Sequence, residues 1–530
     1  MKRSHLLQLS FIIMILGMVL FIRPIAPNND APNFPLTAQA QTHFVANTTT
    51  GSATVEAYTS PDSSYVTTLK YLRQAQNEIL ITMYAISHGY LLHELADAKA
   101  RNGSMIIHVI VSWKWASASE NHWTHAALYN ISQLPGYGAT VFAYKSRTDL
   151  GFTHAKYIII DRQVVLVQSA NWAKSGIPPE TSDGNREWGV AIQNADVVQY
   201  FLNVFTSDVA AATLYSEDIN DYDHLSNLNY TGPYPAPFSA QTFTGSMTIT
   251  SLVSPDYCIP AIVALIDSAT TTLDVQQMYS KADWDGYPNQ FNDAIKAAVL
   301  RGVYCRVMLD NRSSGMQLVA EDLKANGVHV AFTNQTYFGW THNKGVIADG
   351  QRVLISSINW SNESVSENRE AGVIIHHNGV ANYFAQVFQW DWEVGEYLGA
   401  PPASITLTGP TTTSTGLIPF TWTTTINETE IAMYQFQGSS SAAFATLLIN
   451  TTIATKAYTA NISAEVEGTY YFRTRAIFIN GSTSNWSNVA TVVYTIPPPG
   501  IPTEWIIIAG AVIAIGVIII FVYNWMKKRK

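Results

Sequence analysis

Charge and cysteine are what this 530-residue chain has least of. Only 13% of its residues are Asp, Glu, Lys or Arg, against roughly 25% in an average soluble protein. Two cysteines exclude a disulfide-dense scaffold. Basic residues are scarcer than acidic ones, 30 against 39. Seven of the basic ones stand at the ends: Lys2, Arg3, Arg23, Lys527, Lys528, Arg529 and Lys530. That leaves 23 against all 39 acidic residues between 24 and 526, an excess of 16 negative charges. Such a surface disfavours non-specific gripping of long nucleic acid, which needs a basic footprint. What is present instead is apolar: 47% hydrophobic and 12% aromatic residues. A disordered chain is excluded, and the length supports two to four domains with cores of their own.

Two apolar runs sit beside the terminal basic residues. Residues 6–22 follow Met-Lys-Arg and read as a signal peptide or signal anchor, so that 1–40 form a leader with its linker. Ile506 to Tyr523 is an uncharged stretch bracketed by Trp505 and Trp525 and followed by the basic tail. Residues 505–526 are therefore expected to form a transmembrane helix with a cytoplasmic tail. The acidic middle then lies outside the cell as an ectodomain on the cell membrane. It carries about a dozen Asn-x-Ser/Thr sequons, among them Asn47, Asn130, Asn450 and Asn461, which suit a glycoprotein. Cys258 and Cys305 are candidates for a disulfide, a pairing that sequence alone cannot place within bonding distance.

The chain repeats itself. THAKYIIIDRQVVLVQSANW (153–172) is answered by THNKGVIADGQRVLISSINW (341–360). Asn185-Arg186-Glu187 is answered by Asn368-Arg369-Glu370, Ser60-Pro61-Asp62 by Ser254-Pro255-Asp256, and YFLNVFTSD (200–208) by YFAQVFQWD (383–391). Met83-Tyr84 is matched with Met278-Tyr279. The copies span 53–235 and 245–400. In each, apolar strands alternate with helical patterns, which predicts an α/β fold with a largely parallel sheet. The residues after each His-x-Lys form a hairpin, with turns at Asp161-Arg162-Gln163 and Asp349-Gly350-Gln351.

Alternate residues of a strand share a face. His154 and Lys156 thus point one way, as do His342 and Lys344. Ser169 with Asn171, and Ser357 with Asn359, do the same on the return strands. An imidazole can attack phosphorus or protonate a leaving alkoxide. Ammonium and carboxamide groups stabilise oxygens that gain charge. Two copies supply the two imidazoles that a covalent two-step reaction on a phosphodiester needs.

These residues resemble the phospholipase D superfamily, whose signature is His-x-Lys-x4-Asp followed by Ser-x-Asn. His154, Lys156, Asp161, Ser169 and Asn171 match it, and so do His342, Lys344, Asp349, Ser357 and Asn359. The family often has glycine before that serine, where Gln168 and Ser356 stand here. The resemblance implies two pseudo-symmetric repeats forming one catalytic unit, with one site between them and no metal or other cofactor. It implies His154 as nucleophile, forming a phosphohistidine, and His342 as general acid. Glu187 and Glu370 sit where the family has a glutamate that orients an imidazole, and a structural ion pair explains them equally well. Asp161 and Asp349 are read as supports for the turn and the lysine. His376-His377 reads as a solvated strand end.

Residues 403–496 shift to Thr- and Ser-rich alternation. They resemble a fibronectin type III β-sandwich, with Tyr470 as corner tyrosine and Trp422 in the core. Pro497-Pro498-Pro499-Gly500 would link it to the membrane helix. The expectation is a membrane-anchored phosphodiesterase acting on phospholipid, with the membrane as both substrate and anchor. A nuclease for single-stranded DNA or RNA, a cardiolipin-synthase-like phosphatidyl transferase, and a silent adhesion protein that uses the repeats as scaffold are the alternatives.

Overall fold

The computed structural model describes residues 43–179, 182–216, 238–397, most of 405–496, and a few helical residues between 515 and 527. The leader expected at 1–40, the linker 497–500 and most of the span expected at 505–526 lie outside the described residues. Among the described residues no helix is long and apolar enough to cross a membrane.

Both copies join one 16-stranded sheet. At its centre two 14-residue strands, Asn47–Ser60 and Gln241–Ser254, pair antiparallel. Outward from Asn47–Ser60 run Glu187–Gln193, Val164–Gln168, Tyr157–Ile160, Glu78–Met83, Ile106–Val111, Val141–Lys145 and Thr213–Leu214. Outward from Gln241–Ser254 the order repeats: Glu370–His376, Arg352–Ser356, Lys344–Ala348, Thr272–Gln277, Tyr304–Leu309, His329–Phe332 and Glu396–Tyr397. The sheet is mixed, not largely parallel as the alternation of elements predicts. Only three neighbouring strands of each half run parallel, those joined through crossover helices. The hairpins and the long central strands pair antiparallel, because short turns connect the hairpins and the two central strands run in opposite directions.

Three apolar cores follow from this layout. One covers the central strands with the helices Ala195–Ala210 and Asn378–Glu393, whose Phe201, Phe205, Phe384 and Phe388 are fully buried. The other two lie on the opposite face, one per half. The halves interlock at Gly345, where a Cβ would stand 2.2 Å from the Trp188 ring of the other half. The equivalent positions of the repeat carry Tyr157 and Ala371, so bulk and gap are exchanged between strands.

The registers also correct the alignment of Met83-Tyr84 with Met278-Tyr279. Thr82 pairs with Tyr157 and Gln276 with Gly345, which makes Gln277 the counterpart of Met83. Cys258 and Cys305 are buried free thiols, each donating to backbone carbonyls. The candidate disulfide is absent: within the core of the second half the Cys258 thiol turns to Val365 O and the Cys305 thiol to Val303 O and Ile295 O.

Past 405 the chain forms a sandwich of a three-stranded and a five-stranded antiparallel-rich sheet. Phe420, Trp422, Phe436 and Phe472 fill it, and Tyr470 Oη donates to Val466 O at 2.6 Å.

Candidate active site

The site is built by backbone exchange between the halves. His154 N donates to Arg369 O (2.7 Å) and Arg369 N to Phe152 O (2.8 Å). Reciprocally, His342 N donates to Arg186 O (2.9 Å) and Arg186 N to Trp340 O (2.7 Å). Each histidine is therefore laid beside the arginine–glutamate pair of the opposite copy.

The side chains follow that crossing. His154 Nδ1 lies 2.8 and 2.9 Å from the two oxygens of Glu370, and His342 Nδ1 lies 2.8 and 3.0 Å from those of Glu187. Both carboxyls are held below the usual carboxylate range. Burial opposes this, but the facing histidine, the lysines and a serine outweigh it. An ionised carboxylate can only accept, so each Nδ1 carries the proton and each Nε2 keeps a lone pair. Ser169 Oγ donates to Glu187 (2.6 Å) and Ser357 Oγ to Glu370 (2.5 Å). The two serines thus orient the glutamates instead of facing the reacting atoms.

Burial pulls His154 down to about 4, against the opposing pull of Glu370, and it lowers His342 as well. Lys156 and Lys344 are fully buried. Burial lowers them to about 7 and about 8, again opposed by the glutamates. Each lysine donates to the carbonyl of its own histidine. His154 feels Lys344, His342 feels Lys156, and the two lysines repel each other. The six groups therefore form one electrostatic cluster. Asn171 and Asn359 each bury a carboxamide oxygen that has no partner among the described residues. An arrangement of neutral imidazoles and buried ammoniums suits an anion that lies between the halves.

Asp161 and Asp349 do not join this cluster, so they do not support the lysines. Asp161 accepts from the backbone amides of Gln76, Asn77 and Glu78 at 2.7–2.8 Å. Asp349 does the same for Thr270, Thr271 and Thr272. Both occupy positive φ, 50° and 56°, a conformation that Asp tolerates better than most residues. They brace the far end of each hairpin. Gln168 and Ser356, in place of glycine, turn to neighbouring groups: Gln168 accepts from Tyr58 Oη (2.8 Å), and Ser356 donates to Lys344 O (2.9 Å).

The sequence alone assigns no role to a second crossed pair. Arg186 is fully buried and bonds Asp62 of its own half (2.5 Å) and Asp391 of the other (2.9 Å). Arg369 bonds Asp256 of its own half (2.7 Å) and Asp208 of the other (3.1 Å). The signal that points to them is the recurrence of these charges at matching positions in a chain with so few. Among the described residues no group of three His, Cys, Asp or Glu side chains could hold a metal.

Two α/β halves that share a sheet and exchange their site residues define a class of two-repeat protein with one composite centre. The chain belongs to the family described as cardiolipin synthase, PLD-like domain, which matches residues 68–209 and 262–392, slightly more than half of the chain. It is similar to the mitochondrial cardiolipin hydrolase of Xenopus tropicalis, at 32% identity over 96 residues. That match covers 18% of this chain and 44% of the relative, so the chain spans less than half of the curated relative's length. Among solved structures it is similar to phosphatidylserine synthase from Haemophilus influenzae (15% identity, 65% of this chain and 88% of that one, TM-score 0.49). It is also similar to the phospholipase D family member Nuc from Salmonella typhimurium (22%, 29% and 98%, TM-score 0.26).

Proposed function

We propose that the protein is a phosphodiesterase of the phospholipase D superfamily that cleaves phospholipid through a phosphohistidine. The observation that carries this reading is the crossed pair of histidine–glutamate contacts around two buried lysines. In the first step His154 Nε2 attacks phosphorus. The bond to the leaving oxygen breaks, and His342 passes that oxygen its proton. A bound diester anion favours the imidazolium of His342 that this requires. In the second step water gives a proton to His342 and attacks phosphorus, which breaks the P–N bond and restores the neutral imidazole of His154 and the imidazolium of His342. Lys156, Lys344, Asn171 and Asn359 stabilise the phosphoryl oxygens as charge builds. Glu370 and Glu187 stabilise whichever imidazole is charged.

The relative named as a cardiolipin hydrolase supports a lipid diester over a nucleic acid, as does the acidic middle of the chain. In the same reading, 505–526 anchors the protein in a membrane and the sandwich, read as fibronectin III-like, spaces the site from it. The test is incubation of the full chain with phosphatidylcholine vesicles and, separately, with single-stranded DNA. Release of choline without DNA cleavage is expected. DNA cleavage without choline release contradicts the lipid reading. No difference between wild type and His154→Ala on a bis-aryl phosphodiester contradicts the enzyme reading.

A further inference from the structure

The rims of the two half-sites are built from matching residues but differ in charge. Registers place Ser112 and Lys114 opposite Asp310 and Arg312 of the second half. Ser112 Oγ accepts from Thr153 N (3.3 Å) and Asp310 Oδ2 from Thr341 N (2.9 Å), so each fixes the residue before a site histidine. Asp310 does a second task. It pairs with Arg312 Nε (2.8 Å), and that guanidinium stacks 3.9 Å from the Trp340 ring. At this position the second rim is therefore neutral.

The matching position of the first rim is not. Serine supplies the same acceptor without charge, and Lys114 has no carboxylate partner among the described residues. Its side chain is exposed, and its Nζ lies 4.7 Å from the Trp113 ring and 5.0 Å from that of Phe152. Phe152 packs edge-on to Tyr84 (5.7 Å), and Tyr84 stands 5.0 Å from the His154 ring. Glu120, on the same side, is taken up by Tyr84 and by Ser117 at the start of its helix. The aromatic platform holds the cation in place without neutralising it.

We propose that Lys114, on Trp113 and Phe152, binds a second anionic group of the substrate, one that is not cleaved. This rests on the lipid diesterase reading and deepens it. The lipid is held with its further phosphate or carboxylate beside His154 and its uncharged part toward the neutralised Asp310–Arg312 pair at Trp340.

The test uses a matched pair, vesicles of phosphatidylglycerol and of phosphatidylglycerol phosphate, which differ by one terminal phosphate. Wild type should favour the latter in kcat/KM by about fivefold, the scale of one exposed charge-assisted contact. Lys114→Met should bring the ratio toward one. So should Ser112→Asp, which keeps the acceptor for Thr153 and installs the neutralising carboxylate of the second half. Ratios unchanged in both variants overturn the proposal. A ratio that collapses for a dinucleotide with and without its 5′-phosphate, but not for the lipids, overturns its lipid form. Absence of turnover on every diester by wild type contradicts the function itself and is read from the same plates.

Discussion

The two halves agree where they face each other and differ where they face outward. Each places eight strands in the same order and supplies one histidine, one lysine and one asparagine. Each sends an arginine–glutamate pair across to the other. At the rim the agreement ends: Ser112 and Lys114 stand against Asp310 and Arg312. Glu370 also receives Ser364 Oγ (2.5 Å) in addition to Ser357, a contact that Glu187 lacks because Gly176 occupies the matching place. The crossing explains the agreement. A group that serves the opposite half cannot drift without disabling a histidine it is not linked to in sequence. The rim side chains of Lys114 and Arg312 contact groups of their own half and are free to specialise.

The strongest way to break the comparison is to remove one imidazole at a time. His154→Ala and His342→Ala should each lower kcat/KM by about 10⁴, since neither half completes the reaction alone. A half-active variant would mean two independent sites. Next come the buried arginines. Arg186→Met strands Asp62 and Asp391, and Arg369→Met strands Asp256 and Asp208. Each should cost about 3–5 kcal/mol in a denaturant titration, the scale for removing one partner of a buried ion pair. Unequal losses would show that one half carries the interface.

The pH profile of kcat/KM sharpens the picture further. His154, lowered to about 4 by burial, stays an unprotonated nucleophile down to that pH, while Lys156 and Lys344 lose charge near 7 and 8. The general acid His342 is also lowered by burial from its ordinary value of 6.5, so its proton is lost below neutral pH. With rising pH, activity should already decline there and fall further as the lysines discharge; in acid it should fall below about pH 4–5. Stability follows the same sign. Between the ordinary value of 6.5 and about 4, the unfolded chain takes up a proton at residue 154 that the folded chain refuses. Acid therefore costs stability in that window. The smallest effects belong to the hairpin ends. Asp161→Ala and Asp349→Ala should each cost about 1–2 kcal/mol by loss of accepted backbone bonds and leave the pH profile in place. A shifted alkaline limb would mean that they do act on the lysines.

Much of this arrangement is legible in the amino-acid order. The duplicated His-x-Lys and Ser-x-Asn segments announce two α/β copies, and strand alternation puts His154 with Lys156 on one face. Strand direction is not legible, because alternating elements look the same whether a central strand returns antiparallel or parallel. The exchange of glutamates is not legible either. Sequence proximity ties Glu187 to His154, and only the bridges from Thr153 to Arg369 and from Thr341 to Arg186 reverse the pairing. The aspartates mislead for a similar reason. Asp161 is five residues from Lys156, but four strand residues carry it to the other end of the hairpin.

The central claim is the crossing of the histidine–glutamate pairs. It is tested most directly by NMR titration of the two imidazoles in Glu370→Gln and Glu187→Gln. Glu370 holds the His154 pKa up against burial, and Glu187 does the same for His342. Glu370→Gln should therefore lower His154 further and leave His342 nearly in place, and Glu187→Gln should do the reverse. If each substitution instead moves the histidine of its own repeat, the composite site is wrong.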